Sequence, residues 1–82
     1  MEPDAVKILI ESGIPESQVE VVDTTGTKDH FSAIVISDSF EGLSLVEQHQ
    51  TVYKAVGDHL TKEIHALQLN TYSSTQWAQH NS

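Results

Sequence analysis

The segment that most constrains the fold is residues 30–37, which read His-Phe-Ser-Ala-Ile-Val-Ile-Ser. This run is rich in β-branched and aromatic side chains, a composition typical of a buried strand. A second strand is predicted over residues 18–23, where Val19 and Val21 alternate with polar residues. Because only a short turn containing Gly26 separates the two segments, they are predicted to form an antiparallel hairpin.

A helix is predicted before the hairpin, over residues 3–13. Apolar residues recur there at helical spacing, and Pro3 suits the first helical turn. Gly13 is interpreted as the C-terminal stop signal, and Pro15 prevents the helix from continuing.

A longer helix is predicted after the hairpin, over residues 44–60. Ser44 and Glu47 have the spacing of a capping box at its start. The apolar residues that follow are assigned to one inward face because they recur at helical spacing. The residues on this predicted face are Val46, His49, Tyr53, Val56 and Leu60, widened by Leu45 and Val52.

A third strand is predicted over residues 64–72, and a short last helix begins at Ser73 or Ser74 and contains Trp77. The predicted order is therefore α-β-β-α-β-α, an α/β (α+β) domain whose helices cover one face of the sheet. The residues expected to be mostly buried are Leu9, Val21, Ile34 or Val35, Val46, Val56, Leu60, Leu67 and Leu69.

Length and composition argue against a membrane protein, a secreted protein and a tight nucleic-acid binder. The 82 residues suffice for one domain, residues 1–82, and no apolar run approaches the roughly 20 residues of a membrane span. The acidic start lacks the basic and apolar regions of a secretory signal, so a cytoplasmic location is expected. With a net charge of −8, four lysines and no arginine, the chain is not expected to bind nucleic acid tightly.

Four motifs together carry a family resemblance. They are His30-Phe31, the run from Phe40 to Tyr53, Ile64-His-Ala-Leu67 and Thr75-Gln-Trp77. In this order and at these spacings, they resemble the BolA-like family over nearly the whole chain. The resemblance implies a class II KH-like fold with a three-stranded mixed sheet, in which the third strand runs parallel to the second.

The resemblance also implies a function. Members of this family pair with monothiol glutaredoxins around a shared [2Fe–2S] cluster, to which glutathione contributes a thiolate. No cluster is expected in the isolated protein, because the chain has no cysteine. The chain is therefore expected to be an adaptor in iron–sulfur cluster assembly, trafficking or iron and redox sensing, and self-association as a dimer is left open. An alternative is a KH-like transcriptional regulator that binds nucleic acid, but the chain has no Gly-x-x-Gly loop.

Histidines are the natural soft-metal ligands in a chain without cysteine. By its match to the family motif, His65 is the expected cluster ligand. The family often has a second Cys or His several residues before the Phe, but residues 25–29 contain neither. Two readings stay open: His30 substitutes as the second ligand, or His65 is the only one. His49 is assigned to the core, with its ring hydrogen-bonded.

No nucleophile, base and orienting group stand at a spacing that would join them into a catalytic set. The sequence therefore assigns no catalytic residue, and the chain is not expected to be an enzyme.

Overall fold

The structure is a computed structural model that describes residues 1–59, 64 and 66–80. Its order of helices and strands is the predicted one, with two short 3₁₀ turns added, at Asp38–Phe40 and Gly57–His59. None of the helices in this part of the chain has both the length and the apolar character needed to cross a membrane. The main elements are α1 (Pro3–Gly13), β1 (Gln18–Asp23), β2 (His30–Ile36), α2 (Leu45–Val56), β3 (Ala66–Tyr72) and α3 (Ser74–His80).

The three strands form one mixed sheet in the order β1-β2-β3. β1 and β2 are antiparallel, with Val21 opposite Ala33. β3 runs parallel to β2, with Leu69 opposite Ala33. The class of fold and both strand directions predicted from the sequence are therefore confirmed.

The core lies between one face of the sheet and the helices α1 and α2. β2 is the central strand, and its alternate residues Phe31, Ala33 and Val35 are buried in this core. The buried hydrophobic residues are Val6, Ile10, Ile14, Val19, Phe31, Ala33, Val35, Phe40, Val52, Val56 and Ile64.

The predicted inner face of α2 is wrong. The buried face is rotated about the helix axis by roughly one residue position from the predicted one. Val46 is 65% exposed, whereas Gln48 is only 1% exposed and lies in line with the buried Val52 and Val56. The prediction rested on the spacing of apolar residues alone, and a glutamine is costly to bury unless the hydrogen bonds of its amide are made.

The buried amide of Gln48 is fully hydrogen-bonded, and this explains the difference. Its Nε2 donates to the carbonyl oxygen of Leu43 at 3.2 Å and to Oε1 of Gln76 at 3.3 Å. Its Oε1 accepts from the hydroxyl of Thr71 at 2.8 Å. Gln48 therefore ties α2 to both β3 and α3.

The remaining core predictions divide into three groups. Val35 and Val56 are buried as predicted. Half-buried residues are more numerous than expected; three of them, Val21, Leu67 and Leu69, lie on the edge strands β1 and β3, and the others are Leu9 on α1 and Ile34 on β2. Leu60 lies outside the described residues.

Gly13 is the last residue of α1, as predicted, but it has a further role. A Cβ atom placed on it would lie 2.5 Å from Cβ of Ala55 on α2. The glycine therefore allows the two helices to approach each other closely at this point.

Candidate functional site

The β1–β2 loop, residues 24–29, is organised by the carboxylate of Asp23. Oδ1 accepts hydrogen bonds from the backbone N–H groups of Thr25 at 3.2 Å and Gly26 at 2.9 Å. Oδ2 accepts from the N–H of Lys28 at 3.0 Å. One side chain therefore fixes three backbone groups of the loop, as short Asp side chains do in turns.

Lys28 anchors the same loop to the start of α1. Its backbone has a φ of 61°, in the left-handed region, and its Nζ lies 2.6 Å from the carboxylate of Glu2. The hydrogen bond and the charge of Glu2 raise the pKa of Lys28 above its usual value. This lysine is therefore engaged within the domain.

His30 begins β2 directly after the loop, next to Asp29. Its Nδ1 lies 2.8 Å from Oδ1 of Asp29, and because a carboxylate can only accept, the ring N–H is the donor. The imidazole is 44% exposed and the Asp29 side chain 30% exposed. Thr27 also donates its hydroxyl hydrogen to Asp29. The carboxylate thus holds both the loop and the His30 ring.

β3 begins beside this pair. Ala66 is the register partner of His30, and its N–H donates to the carbonyl oxygen of Asp29 at 3.2 Å. His65, the predicted principal ligand, precedes Ala66 in the sequence but lies outside the described residues. Its role as a cluster ligand therefore stays a prediction.

His49 is half-buried on α2, in partial agreement with its assignment to the core. The expectation that its ring is hydrogen-bonded is wrong at one nitrogen, because Nε2 is buried and has no hydrogen-bond partner. This position therefore carries a desolvation cost.

Among the described residues 1–59, 64 and 66–80, no three His, Asp or Glu side chains come together in an arrangement that would hold a metal ion. His80 stacks on Trp77, with ring centroids 5.5 Å apart, and Trp77 in turn contacts Tyr72 at 5.1 Å.

A cavity of about 370 Å³ lies at the opposite end of the sheet from His30. Its lining includes Gln18 and Ile36, which are register partners at the start of β1 and the end of β2. Trp77 closes one side, and Lys7 and Glu11 of α1 lie on another. Among the described residues, His30 does not line this cavity.

Residues 24–29 were predicted only as a turn, and the roles of Asp23 and Asp29 were not predicted. Two features of the sequence indicate these roles. An Asp three residues before Gly26 is typical of a side chain that caps a turn, and an Asp directly before His30 can pair with its ring.

The sequence matches the profile of the BolA-like protein family over residues 1–76. Over 80 residues, it is 32% identical to the DNA-binding transcriptional regulator BolA of Vibrio cholerae, a match that covers 98% of this chain and 70% of that protein.

Solved structures give the same result. A BolA protein homologue from Coxiella burnetii is 36% identical and has a TM-score of 0.78, with 95% of this chain and 97% of that one covered. A Bol-like protein from Babesia bovis has a TM-score of 0.86 over 100% of this chain and 95% of that one, and at 23% identity it supports the fold alone. With the profile match over residues 1–76, these findings show that the chain belongs to the family of BolA-like proteins.

Proposed function

We propose that this chain is a BolA-like adaptor that binds a monothiol glutaredoxin and shares a [2Fe–2S] cluster with it. The glutaredoxin and glutathione supply thiolates, since this chain has no cysteine. His65 supplies an imidazole, and His30 is the candidate for a second one. In this role the chain regulates or transfers a cluster in the cytoplasm and catalyses no reaction of its own.

The observation that carries the proposal is the pairing of His30 with Ala66 across the parallel strands β2 and β3. Ala66 follows His65 in the sequence, and its N–H is bonded to Asp29, the residue that holds the His30 ring. The sheet thus joins Ala66, the neighbour of His65 in the sequence, to His30, the candidate for the second ligand.

The Asp29–His30 pair suits metal ligation. Histidines that bind metals commonly donate their other ring N–H to a carboxylate, which fixes the ring and makes the ligating nitrogen more basic. The Nδ1 contact of His30 with Asp29 is of this kind. When bound, a cluster with imidazole in place of a thiolate is less negative and has a higher reduction potential. Ligation also requires a neutral imidazole, so cluster sharing should weaken in acid.

The test mixes this protein with a monothiol glutaredoxin that carries its cluster, and records visible absorption and circular dichroism. A new spectrum is expected, distinct from that of the glutaredoxin alone. His65→Ala should abolish the new spectrum, and His30→Ala should alter it if the second ligand comes from this position.

The variant Asp29→Asn tests the orientation of the His30 ring while leaving His30 itself in place. The amide keeps the size of Asp29 but loses the charge that holds the His30 ring, so it should change the spectrum in the same direction as His30→Ala, but less. His80→Ala, on the exposed end of α3, is the matched control and should leave the spectrum unchanged. If the spectrum of the mixture survives in His65→Ala, the ligand assignment is wrong.

A second candidate function is DNA binding, favoured by the name of the Vibrio cholerae relative. Against it, Lys28 is already paired with Glu2, and the chain has no arginine. A salt titration separates the two functions, because phosphate contacts must lose affinity steeply between about 50 and 200 mM salt. Binding that is insensitive to salt would argue against this candidate.

A further inference from the structure

The cavity beside Trp77 runs along the outer edge of β1. Four consecutive residues, Ser17 to Glu20, line it. Because successive side chains of a strand alternate between the two faces of the sheet, a cavity lined by such a continuous run lies beside the edge of the strand rather than over one face. In the part of the chain that the structure describes, the sheet ends at β1, so this edge is unpaired.

The hydrogen bonds of the hairpin show which backbone groups of β1 point outward. Thr24 donates its N–H to the carbonyl oxygen of His30 at 2.9 Å. Bonded and non-bonded pairs alternate along an antiparallel ladder, so residues of β1 in step with Thr24, such as Glu20, also bond to β2. The alternate residues Val19 and Val21 therefore direct their N–H and C=O groups away from the sheet.

Val19 combines a buried side chain with outward backbone groups. The residue is only 4% exposed and belongs to the core, but it also lines the cavity. Its outward N–H and C=O groups therefore face the cavity, where they need hydrogen-bond partners, because unpaired backbone groups away from water are costly. An extended peptide supplies such partners at the spacing of a β-ladder when it adds to the edge of a sheet.

The charges around the cavity select a basic strand. On the face of the sheet that α1 and α2 do not cover, Glu20 is the only charged residue that lines the cavity. On the other side, α1 contributes one charge of each sign, Lys7 and Glu11, and therefore favours neither sign. A lysine or arginine side chain on an added strand would meet the carboxylate of Glu20 without an opposing charge on that face.

The apolar lining fits the long stem of such a side chain. Ile34, which lies directly opposite Glu20 on β2, lines the cavity together with Trp77. Lysine and arginine cover apolar surface with their methylene groups, and their charged ends are attracted to the face of an indole ring. Val22, two residues after Glu20 on the same face, is 61% exposed. It leaves room for an apolar side chain two positions from the basic one.

We propose that an extended basic segment of a partner protein pairs with β1 as a fourth strand and places a lysine or arginine side chain in the cavity. Its backbone bonds to Val19 and Val21, its basic side chain meets Glu20, and an apolar side chain covers Val22. A second copy of this chain does not fit, because its strands contain no lysine or arginine and each copy has a net charge of −8. The proposal does not depend on the cluster, since it uses neither His65 nor His30.

The first test titrates the full chain with peptides as long as β1, acetylated and amidated at their ends. The peptides differ only at the central residue, which is lysine or glutamate. Trp77 is the single tryptophan of the chain, so its fluorescence reports binding. The lysine peptide should bind about tenfold more tightly than the glutamate peptide, because like charges at an interface disfavour binding. Equal affinities, or no binding of the lysine peptide at about 1 mM, would overturn the proposal.

Charge reversal then locates the contact. Glu20→Lys should reverse the preference, so that the glutamate peptide binds more tightly than the lysine peptide. The matched control is Asp4→Lys, at an exposed position on α1 that does not line the cavity, and it should keep the original preference. If both variants reverse the preference, the peptides respond only to the overall charge of the protein, and the cavity is not their site.

Amide hydrogen exchange tests the added strand itself. The N–H of Glu20 bonds to β2, so it should be protected with and without the lysine peptide. The N–H groups of Val19 and Val21 point outward and should become protected only when the peptide is bound. Unchanged exchange at these two valines in the complex would show that no strand is added. Equally tight binding of acetyl-lysine amide, which has no strand to add, would refute the proposal as well.

Discussion

The buried amide of Gln48 leads to the sharpest stability prediction, because the sequence pattern and the structure disagree there. We expect Gln48→Ala to destabilise the protein strongly, and Val46→Ala, two residues earlier, to have almost no effect. The structure gives the reason: Gln48 is 1% exposed and makes three hydrogen bonds, whereas Val46 is 65% exposed.

The magnitude follows from those contacts. A net contribution of about 1 kcal/mol for each hydrogen bond gives roughly 3 kcal/mol for the three. The hydroxyl of Thr71, in a residue only 6% exposed, also loses its acceptor. Partial relaxation of the site reduces the total, so we expect a loss of about 2–4 kcal/mol. Substitution of an exposed residue such as Val46 changes stability by about 0.5 kcal/mol or less.

Urea denaturation followed by far-ultraviolet circular dichroism measures both variants. A double-mutant cycle of Gln48→Ala with Thr71→Val should give a coupling energy of about 1 kcal/mol, since the two side chains share a hydrogen bond. If Val46→Ala costs more than Gln48→Ala, the orientation of α2 described above is wrong.

Three further predictions concern other parts of the domain. His49→Leu should raise the free energy of unfolding by about 1 kcal/mol, since it removes a buried nitrogen without a partner; a clear loss in urea denaturation would contradict this. Gly13→Ala should cost about 1–3 kcal/mol in the same assay although alanine favours helices, because its Cβ would meet Ala55; a gain in stability would show that the helices can separate there. Hydrogen bonds from Ser44 lower the pKa of Glu47 below 4.5, so their stabilisation is present above that pH and is lost as the pH falls through the lowered value. Glu47→Gln should therefore flatten the acid limb of a plot of stability against pH, and identical limbs for the two proteins would refute this.

The predictions from sequence succeeded where a local pattern determines the structure. The β-branched run of residues 30–37 and the capping box at Ser44 located β2 and α2 within a few residues. The face of α2 could not be predicted in the same way. Whether Gln48 can be buried depends on Thr71 and Gln76, which are more than twenty residues away in the chain.

The candidate site was predictable only in part. The motif around His65 and the position of His30 came from the sequence, and the family resemblance implied the parallel direction of β3, but the pairing of His30 with Ala66 is known only from the structure. The role of Asp29 as partner of the His30 ring did not, because the sequence shows neighbours along the chain but not the direction of their side chains.

By ordering the β1–β2 loop before any partner arrives, Asp23 lowers the entropic cost of binding there. Ordering a residue of a flexible loop costs roughly 1–2 kcal/mol in conformational entropy. Since the carboxylate of Asp23 already fixes the backbone of Thr25, Gly26 and Lys28, this cost falls on folding and not on the encounter with a partner. The loop beside His30 is thus preorganised, and a partner that binds there can use its contact energy for affinity.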